Sequence, residues 1–177
     1  MNNKLWRKSN HYIDNEKFFE EIKEWKILVI EAAESGEPRP PVNNYIGECF
    51  LKIAEHLSYR PNFINYPYRE EMISDGIENC LTYAHNFNPE KSKNPFSYFT
   101  QITYYAFLRR IEREKKQSYI KYKLAEMANV NGNLSSWVRT NYYDKDSEDI
   151  NDIMREHFNL SKTDMEKFEP NKKKKKK

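Results

Sequence analysis

Glycine is scarce in this chain, four in 177 residues, and no stretch alternates apolar and polar residues for long. Both absences argue against a sheet-rich fold, which needs tight turns and period-two strands. Cysteine is equally sparse: Cys49 and Cys80 each fall at an apolar helical position, and no second pair or histidine cluster supplies a metal spacing, so they read as buried, reduced thiols. No apolar run approaches the roughly 18 residues of a membrane-spanning helix, and residues 1–18 hold none long enough for a signal peptide. The expectation is a soluble, cytoplasmic protein with no membrane contact. His11, His56, His85 and His157 are scattered, and no nucleophile–base pair or phosphate-binding glycine loop is visible, so an enzyme is not expected, nor a cofactor or metal.

What is present reads as helix. With 38% hydrophobic and 32% charged residues the chain can bury one modest core and carry polar extensions. A first helix is predicted from Asp14, with Phe18, Ile22, Trp25, Val29 and Ala32 on its apolar stripe. GEPRPPVNN (36–44), with three prolines and a glycine, ends it. Asn43 or Asn44 caps a second helix striped by Ile46, Cys49, Phe50, Ile53 and Leu57. In the connection that follows, Phe63, Tyr66 and Tyr68 are expected to fold back on the core.

The centre of the chain is residues 70–116. Ile73, Ile77, Cys80, Ala84 and Phe87 recur at steps of four and three, and Asn88-Pro89 stops that helix. Asn94 caps the next one, and Pro95 suits its first position because it has no N–H to satisfy. Projected at 100° per residue, this helix shows two apolar faces. Phe96, Thr100, Tyr104, Phe107, Leu108 and Ile111 form a stripe expected to pack on the domain. Opposite it lie Tyr98, Ile102, Tyr105, Arg109, Arg113 and Lys116, aromatic first and cationic later, a surface suited to stacking unpaired bases and holding phosphates. The simpler alternative is a central helix buried on both sides, against which three unpaired cations weigh. From Pro95 to Lys116 the helix would be roughly 33 Å long.

MISDGIENCLTYAHNFNP (72–89) followed by FSYFTQITYYAFLRRI (96–111) resembles region 2 of bacterial RNA polymerase sigma factors, and within that family is most similar to the late-transcription sigma factors of large tailed bacteriophages. The resemblance implies an all-α, compact helical bundle like sigma domain 2 over 14–128. A flexible N-terminus (1–13) precedes it. A partly flexible, acidic and then lysine-rich segment (129–177) follows, a candidate partner-binding tail. It implies a sigma factor that binds the bacterial core RNA polymerase in an infected host cell and directs it to AT-rich late promoters, recognising and melting a minus-ten-like element. Tyr98 and Phe99 stand where the family holds a base flipped from the non-template strand. Ile102, Thr103, Ala106, Arg109 and Arg110 fall where it reads the duplex edge. Paired tryptophans and a glutamine are usual there in primary sigma factors, so Ile102, Thr103 and Ala106 depart from the pattern and leave that edge to Tyr105 and Arg109.

In the family the preceding helix docks on a coiled coil of the largest polymerase subunit, which would place Glu71, Ser74, Asp75, Glu78 and Asn79 at that interface; without the resemblance they read as a solvated helix face. Gly76 either permits close approach or relieves crowding. Phage late sigma factors also use a sliding DNA clamp, reached through a hydrophobic C-terminal motif whose nearest local equivalent is Met165 with Phe168, and a phage co-activator is a further implied partner. The competing function is a helical regulator that occupies the same polymerase surface without opening promoters.

Charge is unevenly placed. The net charge is only +3, yet residues 109–123 hold seven Lys or Arg against two Glu, residues 144–169 hold nine Asp or Glu against four Lys or Arg, and six lysines occupy 172–177. A local basic patch on a nearly neutral chain suits DNA contact within a larger complex. After Lys116, Ile120, Leu124 and Met127 are expected to continue an apolar stripe, with NVNGN (129–133) ending the helix.

Overall fold

The computed structural model describes residues 12–130 and 155–169, and among them the secondary structure is helical, with no strand. The helices are α1 (Asn15–Ser35), α2 (Asn44–Ser58), α3 (Arg69–Tyr83), α4 (Pro95–Val130) and α5 (Lys162–Phe168), with one 3₁₀ turn at Ala84–Asn86. The chain divides inside α4 into two compact units, Met1–Arg110 and Ile111–Lys177. No helix among the described residues is long and apolar enough to cross a membrane.

Each boundary in the first unit has a local cause. Asp14 accepts hydrogen bonds from the amides of Glu16 and Lys17 at 3.1 Å and starts α1. Gly36 ends it in the left-handed region (φ 71°), where a side chain would be strained, and its amide reaches the last-turn carbonyls of Ala32 and Ala33. The Trp25 indole N–H then donates to the Pro40 and Pro41 carbonyls at 3.1 and 3.0 Å, pinning the proline loop. Of the two candidate caps for α2, Asn43 serves, accepting from the Ile46 amide at 2.9 Å. Asn94 caps α4 through the Ser97 amide at 3.0 Å, and Pro95 is its first residue.

The core of this unit is aromatic and centred on Phe99, which is fully buried. Its ring centroid lies 4.6 Å from Phe50, 5.7 Å from Phe18 and 6.0 Å from Phe87. The expected stripe of α2 is buried in full, and Phe18, Ile22 and Trp25 of α1 join it. Tyr12 and Ile13, assigned by sequence to a flexible leader, belong to the folded unit: Ile13 is buried and Tyr12 stacks on His56. Phe63 folds back as expected, meeting Tyr104 and Phe107 edge-on at 5.6 and 5.2 Å.

Two stripes are rotated from the sequence reading. On α3 Met72 and Gly76 are buried in place of Ile73 and Ile77, which are only half-buried, while Cys80, Ala84 and Phe87 of the expected stripe are buried as expected. On α4 the buried line is Phe99, Thr103, Ala106 and Phe107; Phe96 and Thr100 are half-buried, and Tyr104 and Leu108 are exposed. One close approach explains both. A Cβ at Gly76 would sit 2.9 Å from Thr103 Cγ2 and 3.1 Å from Phe107 Cε1, so the absent side chain lets α3 rest directly on α4. This resolves the question of Gly76 in favour of close approach.

In the second unit, Tyr119 and Tyr122 of α4 bury against Leu160, with Ala125, Phe158, Met165 and Phe168 packed around them. The predicted continuation is overturned: Ile120, Leu124 and Met127 are exposed. Tyr119 and Tyr122 take the inward positions because residues 158–168 supply the apolar groups that cover that side. Ser161 and Asp164 form a reciprocal capping box at the start of α5, and Lys115 donates to both carboxylate oxygens of Asp164 at 2.9 Å. Part of the segment assigned to a flexible tail, 155–169, is therefore helical and packed. The remainder of that assignment, and residues 1–11 of the leader, lie outside the described residues.

Candidate nucleic-acid interface

The surface of α4 in the first unit is set by which side of it Phe99 takes. Because Phe99, Thr103 and Ala106 point into the core, three residues expected at a DNA surface are enclosed. Thr103 is further committed, its hydroxyl donating to the Phe99 carbonyl at 2.9 Å and lying 3.4 Å from Cys80 Sγ. Tyr98 and Ile102 are half-buried on one shoulder of that line. Tyr98 leans on Phe87 at 5.3 Å, and burial, with Cys80 nearby, pushes its phenol above the ordinary value.

Tyr104 and Tyr105 are the aromatics that reach solvent, 37% and 50% exposed and edge-on to each other at 5.7 Å. They line a groove of about 500 Å³ between the end of α2 and α4, together with Arg60, Thr100 and Gln101. A smaller hollow of about 180 Å³ shares Leu57, Arg60, Phe96 and Thr100 and runs on to Tyr12 and His56. Those two rings are parallel within 9° at 3.8 Å. Burial pushes the Tyr12 phenol up and the nearby Arg60 guanidinium partly offsets this. Arg60 lines both hollows, so each combines a cation with aromatic rings, the combination that holds bases by stacking and a backbone by charge.

Arg60, Tyr12, His56 and Tyr104 escaped the sequence reading for a physical reason. Periodicity reports one helix at a time, whereas these two hollows draw on a residue before α1, the end of α2 and the first turns of α4. Arg60 follows α2 just before Pro61, where no helical pattern marks it.

The remaining cations divide. Arg110 donates from Nε and Nη2 to the two carboxylate oxygens of Asp75 at 2.8 and 2.9 Å, and Arg109 donates from Nη2 to Asn79 Oδ1 at 2.6 Å. Two residues expected to meet DNA are therefore joined to two expected to meet a polymerase. Glu71, Ser74 and Glu78 remain exposed on α3. Arg113 and Lys116 are exposed on the part of α4 that belongs to the second unit. Met165 and Phe168 are half-buried against Tyr119, Tyr122 and Leu160, so neither is a freely presented anchor. Among the described residues no cluster of His, Cys, Asp and Glu could hold a metal ion.

No family model matches the chain, and no curated protein matches it.

Proposed function

We propose that this protein is a sigma factor of the phage late type, acting in the bacterial cytoplasm, that binds core RNA polymerase and opens AT-rich promoters at a minus-ten-like element. The observation that supports it best is the groove beside α4. In a helix whose motif resembles sigma region 2, the solvent-facing aromatics Tyr104 and Tyr105 adjoin a channel walled by Arg60. Unstacking a base costs a few kcal/mol and an aromatic contact returns about 1–3 kcal/mol per base, so a few such rings are of the right size to hold an opened non-template strand. Relative to the sequence reading, the strand track loses Phe99, Thr103 and Ala106, keeps Tyr105, and gains Tyr104 and Arg60. Arg113 and Lys116 remain candidates for phosphate contact.

On α3, Glu71 and Glu78 are the acidic groups that first meet the largest polymerase subunit, because Asp75 is paired with Arg110 until that pair opens. A sliding clamp and a phage co-activator are further partners in this reading. Clamp contact through Met165 and Phe168 then requires α5 to give up part of its packing.

The test is gel filtration of the protein with bacterial core polymerase, alongside Glu71→Arg and Glu78→Arg. Charge reversal at Asp75 is the poorer choice, since it also breaks the pair with Arg110. Co-elution that the variants abolish, followed by permanganate-detected opening of an AT-rich promoter, is the expected result. Binding without opening would instead favour the helical regulator, and no binding to any core enzyme would end the proposal.

A further inference from the structure

The contacts between α3 and α4 carry a consequence for how the cationic part of this surface works. Asp75 and Asn79 lie one turn apart on α3, facing the adjacent Arg109 and Arg110. The Arg110–Asp75 pair is two-pronged, with side chains only 18% and 16% exposed. A carboxylate that takes both prongs of one guanidinium edge, here Nε and Nη2, has the geometry a phosphate uses on the same edge. Asn79 is held in place as well, its amide donating to the Asp75 carbonyl at 2.7 Å, which leaves Oδ1 turned to Arg109.

We propose that Asp75 and Asn79 act as an internal phosphate mimic, an autoinhibitory contact that caps Arg110 and Arg109 until a nucleic-acid backbone displaces it or a basic partner on α3 draws it away. The proposal rests on the reading of this protein as a DNA-binding sigma factor and adds a regulation that the reading does not require. Its content is a competition. A phosphate and the α3 acid cannot both fill the Arg110 fork, so occupancy of Asp75 by a partner and occupancy of Arg110 by DNA favour each other. Such coupling between sites is reciprocal and typically spans about 5- to 150-fold in affinity. Gly76, between Asp75 and Asn79 in sequence, keeps α3 close enough to α4 for the cap to close.

The experiment measures binding of a labelled single-stranded AT-rich oligonucleotide to the full chain by fluorescence anisotropy across a salt series, without polymerase. The variants are Asp75→Ala, Asp75→Asn, Asn79→Ala and the double variant Asp75→Ala with Arg110→Ala, with thermal melting of each to show that it folds. Uncapping predicts that Asp75→Ala binds at least about fivefold more tightly. Its salt slope should steepen by about 0.7 for each phosphate newly held. Asn79→Ala, which frees Arg109 alone, gives a smaller gain in the same direction, and adding Arg110→Ala removes the gain from Asp75→Ala. Unchanged or weaker binding by folded Asp75→Ala and Asp75→Asn overturns the cap. Tyr105→Ala separates this failure from a wider one: if it weakens binding while Asp75→Ala does nothing, the cap falls and the strand groove stands. If neither Tyr105→Ala nor any of the Asp75, Asn79 and Arg110 variants alters binding, the DNA-binding reading falls and the cap with it.

Discussion

Replacing Gly76 by alanine tests the junction on which the arrangement of α3 and α4 depends. In an exposed helix this change stabilises by about 0.4–1 kcal/mol, because alanine has less backbone freedom to lose on folding. Here the new methyl meets Thr103 Cγ2 at 2.9 Å, Phe107 Cε1 at 3.1 Å and Ala54 Cβ at 3.6 Å. Thr103 and Phe107 are both fully buried, and Thr103 is held by its hydroxyl bond to Phe99, so neither can swing aside. Overpacking of this kind costs about 1–3 kcal/mol, so a net loss of roughly 0.5–2 kcal/mol is expected. For a unit of this size that lowers the melting temperature by several degrees, at about 4–8 °C per kcal/mol. Thermal unfolding followed by circular dichroism reads it directly. Gly47, which has nothing within 4 Å of the corresponding position, is the matched control, and Gly47→Ala should hold or raise the melting temperature. A Gly76→Ala protein as stable as the parent would refute the close contact of α3 with α4.

Three further outcomes follow from the same geometry. Phe99→Ala should cost about 3–5 kcal/mol of stability because it empties the aromatic core, whereas Tyr105→Ala should leave the melting temperature nearly unchanged and weaken oligonucleotide binding by about 1–3 kcal/mol; denaturation and anisotropy measured on both variants separate the two roles. Burial pushes the Asp164 carboxyl up, but bonds from Ser161 and Lys115 outweigh this and hold it below its ordinary 3.8, so its stabilising contribution is present above that value and disappears as pH falls through the lower, folded one; the protection of amides 162–168, taken relative to their intrinsic exchange rates at each pH, should fall only in that acidic range. Burial pushes the Cys49 and Cys80 thiols up to about 11 and about 12, so neither should react with iodoacetamide near neutral pH until the protein is unfolded; rapid labelling of the native protein at Cys80 would contradict its enclosure.

Much of the fold is legible from residue order, and particular elements show why. The caps Asp14, Asn43 and Asn94, the stop at Gly36 and the stripe of α2 are local matters: each depends on a few neighbouring residues and on the 3.6-residue period. The rotation of the stripes on α3 and α4 is not local. On α3 Met72 and Gly76 adjoin Ile73 and Ile77, and α4 has two apolar faces, so periodicity allows more than one inward side, and Gly76 selects one by letting Thr103 and Phe107 come against it. That single selection buries Phe99, Thr103 and Ala106 and turns Tyr104 and Tyr105 outward.

The candidate site divides along the same line. Sequence by itself determined an all-α chain, the positions of its main helices, the motif that resembles sigma region 2, and a basic stretch on α4, because these are properties of composition, spacing and local hydrogen bonding. Tertiary structure alone decided that Arg60 lines one groove with Tyr104 and Tyr105 and a second hollow with Tyr12 and His56, and that Arg110 is held by Asp75. Asp75 and Arg110 are 35 positions apart, Arg60 and Tyr104 are 44 apart, and so are Tyr12 and His56, and only the packing of separate elements brings such residues within reach of one another.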